Sequence, residues 1–291
     1  EIQNTEVTPI EPVFVDFSKD MSKGSVAEGI GLLYKKNETN DITTLTCVFD
    51  RGVQSDPRLD LAFDYLSYLG TTTRTAEQIK KEMYELACSQ RLSCGSTQSN
   101  IGVSGLDENV GKAMDIVEDL IFNAQPDTVI LAGLKSDIFK NRSDSKLSQR
   151  ACFSALQKYI FYGPEFIRKT TLTNEQIAAL TSEELLQAVR DLYAKKHDVL
   201  YYGPSDEAGA KKMIAEHHKI SENPEPLERI HPQARQVASS EVFIAPYDAN
   251  QFYYLQHSDR GEKFNVANDP EIRMYNTYFG SGMGAIVFQE M

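Results

Sequence analysis

DPRLDLAFDYLSYLGT, residues 56–71, reads as one capped helix closed by glycine. Asp56 suits an N-cap, and Pro57 suits the first helical position, where its missing N–H costs nothing. Leu59, Ala62, Phe63, Leu66 and Leu69 recur at helical spacing and define one apolar face. Gly70 is predicted to end the helix as a left-handed residue. A strand-forming run, Thr43–Phe49, precedes the helix and stops at Asp50-Arg51-Gly52.

The chain of 291 residues is long enough for one large domain or two medium ones. Hydrophobic content of 41% and charged content of 25% are those of a globular protein. No apolar run approaches the roughly 18 residues of a transmembrane helix. The N-terminus, EIQNTEVTPIEP, is polar and not a signal peptide, and starting on Glu it reads as a mature form or an excised fragment. A net charge of −12 argues against a nucleic-acid surface, which needs a basic patch. It describes a solvated acidic surface, compatible with basic or unstructured peptides. None of the four cysteines forms C-x-x-C, and Cys47 and Cys152 lie in apolar patterns as small hydrophobes.

In chain order, residues 1–26 read as a lead-in with one short strand at Pro12-Val13-Phe14-Val15. Gly29–Tyr34 and Ile42–Phe49 form a predicted hairpin about the polar turn KKNETND. Thr75-x-x-Gln78 is a capping box opening a helix to about Ala87. Short strands follow at Ser89–Gly95 and Gln98–Gly105. Asp107 caps a helix to about Phe122, and Asp127 caps another to about Lys140, which NRSDS breaks. Lys146–Ile160 is helical and closes at Gly163-Pro164. Thr173-x-x-Gln176 and Thr181-x-x-Glu184 are further capping boxes. HDVLYY, 197–202, is a strand, and Ser205–His218 a polar helix. Residues 219–239, with Pro224, Pro226 and Pro232, read as a linker. The pattern then restarts: a strand pair Glu241–Ala245 with Gln251–Leu255, then a helix from Asp269-Pro270 to Gly280. The predicted division is 1–26, 27–218, 219–239 and 240–291, the last being the start of a second copy of the unit.

These features resemble the M16 (insulinase/pitrilysin-like) zinc metallopeptidases. The resemblance rests on Phe49-x-x-Gly52, Tyr68-Leu69-Gly70-Thr71, Val103-Ser104-Gly105-Leu106 and Tyr201-Tyr202-Gly203-Pro204. It rests above all on Tyr278-Phe279-Gly280-Ser281-Gly282-Met283 with Ile286-Val287-Phe288-Gln289-Glu290. It covers roughly residues 12–291 and is to the third of four domains, and the start of the fourth, in long bacterial members. Their setting would be the periplasm or cell envelope; the sequence itself names no compartment. The fold it implies is α+β, an antiparallel sheet with helices packed on one side.

In active M16 domains the Gly-Thr helix carries His-x-x-Glu-His, two zinc ligands one turn apart and a glutamate that activates water. Anchored on Gly70-Thr71, that motif falls on Leu61-Ala62-Phe63-Asp64-Tyr65. Leu61 has no lone pair, Asp64 replaces the glutamate, and Tyr65 is a poor zinc ligand at neutral pH. The family's third ligand, a glutamate, would fall on the Thr128–Lys140 helix, which has Asp137 but no glutamate. Among His197, His217, His218, His231 and His257 no two are three or four residues apart. His217, His218 and Glu216 read as a solvated helix end. No Cys/His or Ser/His/Asp grouping for a nucleophile is legible, Cys94 included.

The expectation is a chain without catalytic residues, cofactor or metal of its own, with zinc in a separate N-terminal catalytic half. Its partners would be that half and peptide or unfolded polypeptide, added as a strand on a sheet edge. Tyr278, Phe279, Gly280, Gly282 and Met283 are the candidate substrate-binding residues. The other reading is a structural M16-like subunit of a larger assembly.

Overall fold

Alternation along two strands decides the layering. In the computed structural model, which describes residues 14–227, 230, 232–257 and 265–290, strand β3 (Ile42–Phe49) buries Thr43, Leu45, Cys47 and Phe49. Strand β6 (His197–Gly203) buries His197, Val199, Tyr201 and Gly203. The residues between them are less buried, so helices cover only one face of the sheet. Ile42, Leu200 and Tyr202 remain 41%, 38% and 43% exposed on the other.

The remaining strands are β1 (Ser22–Ala27), β2 (Ile30–Lys36), β4 (Cys88–Cys94) and β5 (Ser99–Leu106). The sheet order is β1-β2-β6-β3-β5-β4, with β2–β6 parallel and the other pairings antiparallel. The expected β2–β3 hairpin does not form, because β6 inserts between the two strands. Ile30 faces His197 on one side of β6, and Val48 faces Asp198 on the other. Lys35 and Lys36 end β2, and NETND, 37–41, is a loop tied down by Asn37, whose N–H donates to Gly203 O at 2.7 Å and whose amide donates to Ile42 O at 2.9 Å. Strand β2 instead forms a hairpin with β1, whose residues up to Val26 lie in the stretch read as lead-in. The hairpin turns at Gly29, whose φ of +76° a side chain rarely adopts. Phe14 and Val15 form no strand; Pro12 and Val13 lie outside the described residues.

Helix α1 (Leu59–Leu66) starts later than predicted, with Arg58 at its N-cap. The carboxylate of Asp56 is occupied by Arg58, accepting from its backbone N–H at 3.1 Å and its guanidinium at 2.7 Å. Gly70 is not left-handed either: positive φ among the glycines falls on Gly29, Gly163 and Gly282. Gly70 is required by close approach, since a Cβ there would lie 2.5 Å from Arg74 O. Helix α2 (Ala76–Glu85) has its predicted capping box at Thr75, as do α6 (Asn174–Ala179) at Thr173 and α7 (Ser182–Tyr193) at Thr181.

Asp107 does not cap α3 (Asp107–Asn123). It lies in the first turn, and its carboxylate accepts from Thr43, from Tyr201 at 3.1 Å and from Ser205 at 2.7 Å. Asp127 does cap α4, but that helix runs Thr128–Ser145, through the predicted break, with Arg142 anchored on Leu172 O at 2.8 Å. Helix α5 (Gln149–Thr170) kinks at Gly163 and continues beyond Pro164. Helix α8 (Glu207–His217) follows β6. Helices α1, α3, α7 and α8 meet over the buried sheet face.

Two units are distinguished, Glu1–Arg235 and Gln236–Met291. Part of the predicted linker packs on the first: Glu225 N donates to Ala194 O at 2.8 Å, and Lys196 N to Glu225 O at 2.7 Å. In the second unit, α9 (Asp269–Gly280) carries Pro270 at its start as expected, and α10 spans Ile286–Glu290. The predicted strand pair at 241–255 is not formed; Val242, Ile244 and Phe252 are 86%, 84% and 85% exposed. A lone hairpin is marginal without a third strand or a helix to bury its apolar face. No described helix is long and apolar enough to cross a membrane.

Leu66 is fully buried, so Leu66→Ala is expected to cost about 2–5 kcal/mol in a denaturant titration. A loss below about 0.5 kcal/mol would mark it as a surface position. Burial would raise the Asp56 carboxyl, but Arg58 and Arg51 hold it below its ordinary 3.8. Its stabilisation is therefore complete above that value and lost as pH falls through the lower folded one. Asp56→Asn should destabilise by about 1–3 kcal/mol at neutral pH, and the gap from wild type should close only in stronger acid.

Candidate functional site

Leu61 and Tyr65 lie one turn apart on α1, on a face pressed into the core; they are 5% and 0% exposed. The Tyr65 hydroxyl accepts from Asp127 N–H at 2.8 Å, and it lies 3.0 Å from Asp127 O and 2.9 Å from Ser182 Oγ. One phenol thus pins α1 to the N-termini of α4 and α7. Asp64 is exposed; partial burial, with Asp60 nearby, raises its carboxyl. Asp137 is exposed on α4. An alkyl group, a satisfied phenol and an outward carboxylate do not fit the zinc of an active M16 helix. No water-activating step can be built on them.

The second set of candidates lies in the second unit. Tyr278 and Phe279 are on α9, 67% and 43% exposed, and Met283 follows at 77%. Gly282 has φ of +80°, and a side chain at Gly280 or Gly282 would meet nothing within 4 Å. These residues form an open surface, with Tyr275 and Phe279 stacked at 5.5 Å between ring centres.

A third grouping was not legible in the sequence. His218 is not a solvated helix end: its side chain is fully buried at the C-cap of α8, while His217 outside it pairs with Asp115 at 2.9 Å. Beside His218 lie Cys47 of β3, His197 of β6 and Glu118 of α3. His197 Nε2 is 2.8 Å from His218 Nε2, which is 3.7 Å from Cys47 Sγ. His218 Nδ1 is 2.7 Å from Glu118 Oε1, and His197 Nδ1 is 2.8 Å from Lys195 O. The second Glu118 oxygen and the Tyr193 hydroxyl are buried beside each other.

The two imidazoles are driven apart in basicity. Burial lowers His197 to about 4, opposed by the Lys195 carbonyl and reinforced by His218. Burial also acts against a charge on His218, but Cys47 and Glu118 outweigh it and push it up to about 10. Helical spacing could not show this set, because it joins two strands, a helix interior and a helix end. The available signal was strand phase: positions 43, 45, 47 and 49 share one face, as do 197, 199 and 201.

One sheet with its helices on one side, joined by these connections, is the fold of M16 peptidase domains. The periplasmic protease PqqL from Escherichia coli superposes with a TM-score of 0.61 at 18% identity over 79% of this chain and 28% of that one. A peptidase M16 inactive domain from Pseudomonas fluorescens gives 0.61 at 15% identity over 73% and 54%. The ferredoxin protease FusC, solved with Arabidopsis ferredoxin, gives 0.64 at 10% over 80% and 27%. The chain therefore spans between about a quarter and a half of these proteins. No family model and no curated protein matches the sequence.

Tyr65→Phe keeps the ring and deletes the tie. It should lower stability by about 1–3 kcal/mol, since the part-buried Asp127 N–H is left without its partner. Unfolding indistinguishable from wild type would show that the hydroxyl holds nothing.

Proposed function

We propose that this chain is a non-catalytic part of an M16-type metallopeptidase that binds and encloses polypeptide substrate. Zinc and the water-activating glutamate would belong to a separate N-terminal half. The observation that carries this reading is α1: the fold is kept, while the motif face is hydrocarbon and a fully bonded phenol. The sheet face bearing Ile42, Leu200 and Tyr202 supports a binding role, because it offers apolar side chains. Among the described residues strand β4, CSQRLSC, pairs only with β5, which leaves a polar edge on which an extended peptide can add. The solved complex of FusC with a ferredoxin favours a protein as substrate.

The test is a peptide-cleavage assay on this chain, on an N-terminal half bearing His-x-x-Glu-His, and on both together. This chain alone should be inactive, and the pair should cleave faster than the N-terminal half alone. The remainder of the fourth domain is added if the pair is silent. Chelator-sensitive cleavage by this chain alone would overturn the reading. Full activity of the N-terminal half without it would favour a purely structural subunit.

A further inference from the structure

We propose that Cys47, His197 and His218 form a buried site for a divalent ion of the zinc class. It is distinct from the motif position on α1 and runs against the expectation of a metal-free chain. That expectation rested on helical spacing, and these donors come from β3, β6 and the end of α8.

The hydrogen bonds fix which nitrogens carry protons. Lys195 O can only accept, so His197 Nδ1 donates to it and Nε2 presents a lone pair. Glu118 Oε1 takes the proton of His218 Nδ1, so with a neutral ring its Nε2 presents another. The two Nε2 atoms face each other at 2.8 Å, a spacing that either a proton on His218 or a cation bound between two lone pairs satisfies. Cys47 Sγ lies against the His218 ring, 3.7 Å from Nε2 and 4.0 Å from Nδ1, and the three donor atoms all lie within 4.8 Å of one another. One thiolate and two imidazoles are a zinc donor set. Backbone and carboxylate acceptors on the far nitrogens are the orienting bonds that metal-bound histidines make.

A tetrahedral zinc at about 2.0–2.1 Å from nitrogen and about 2.3 Å from sulfur sets N···N near 3.3 Å and S···N near 3.6 Å. The rings must part by about 0.5 Å, and the Cys47 thiol, now 3.7 Å from Nε2 and 4.0 Å from Nδ1 of His218, must turn toward the gap between the two Nε2 atoms. The fourth position falls to a water. A cleft of about 360 Å³, lined by Glu118, His218, Asp115 and Lys219, lies against the outer side of the set. A proton on His218 would also join the two nitrogens, and the test separates the two.

The 291-residue chain, stripped with chelator, is titrated with Co²⁺. One equivalent should give the intense visible bands of tetrahedral cobalt and a near-ultraviolet sulfur-to-cobalt charge-transfer band, both displaced by Zn²⁺. The charge-transfer band should vanish in Cys47→Ala and persist in Cys94→Ala. Zinc should raise the melting temperature of the wild type, and chelator should reverse the rise. X-ray absorption on the wild-type zinc form needs no variant to fold, and should find one sulfur among nitrogen and oxygen neighbours. A spectrum no different from aqueous cobalt, a charge-transfer band that survives Cys47→Ala, or a shell without sulfur would overturn the proposal. None of these readouts depends on peptide cleavage.

Discussion

One-sided burial of the sheet is the constraint to which the first unit answers. With helices on a single face, every second residue of the central strands β3 and β6 enters the same interior. Most are apolar, and their removal from water is the main driving force for the unit. The polar ones cannot escape by turning over, because a shift of one residue would turn every side chain to the wrong face. They must be paired where they are. At one end Thr43 and Tyr201 meet Asp107 of α3; at the other Cys47 and His197 meet His218 and Glu118. The first helix after β5 therefore supplies a carboxylate to each end of the sheet.

The same constraint fixes the place of α1. Leu61 and Tyr65 lie one turn apart on it and are packed over. Tyr65 adds a mechanical function, since its hydroxyl joins the starts of α4 and α7. A polar or charged replacement at Leu61 or Tyr65 would leave an unpaired group in the core.

Local features were legible in the sequence, and non-local ones were not. Thr75, Thr173 and Thr181 announce helix starts because each box closes within four residues. The burial of Phe63 and Leu66 followed from helical period alone. The position of β6 did not, since nothing in HDVLYY says that it separates two strands made far earlier. Asp56 and Asp107 look like caps by type and position, yet each is drawn to a stronger or more buried partner, Arg58 or the Thr43–Tyr201 pair. Glycine at 70 was read as a left-handed stop, whereas the backbone at Arg74 passes too close for any side chain. The Cys47–His197–His218 set is the extreme case, with no two members on one element.

The insertion of β6 has a consequence on the ribosome. Strands β2 and β3 emerge early, each with one edge whose only native partner is still to be made. At roughly 5–20 residues per second, the interval from Phe49 to Gly203 is on the order of 10–30 s. Throughout it the nascent chain carries two unpaired strand edges, the kind that recruit chaperones or neighbouring chains. A synthesis that stalls before His197 leaves a sheet in two pieces, β1–β2 and β3–β5–β4, with no strand to join them.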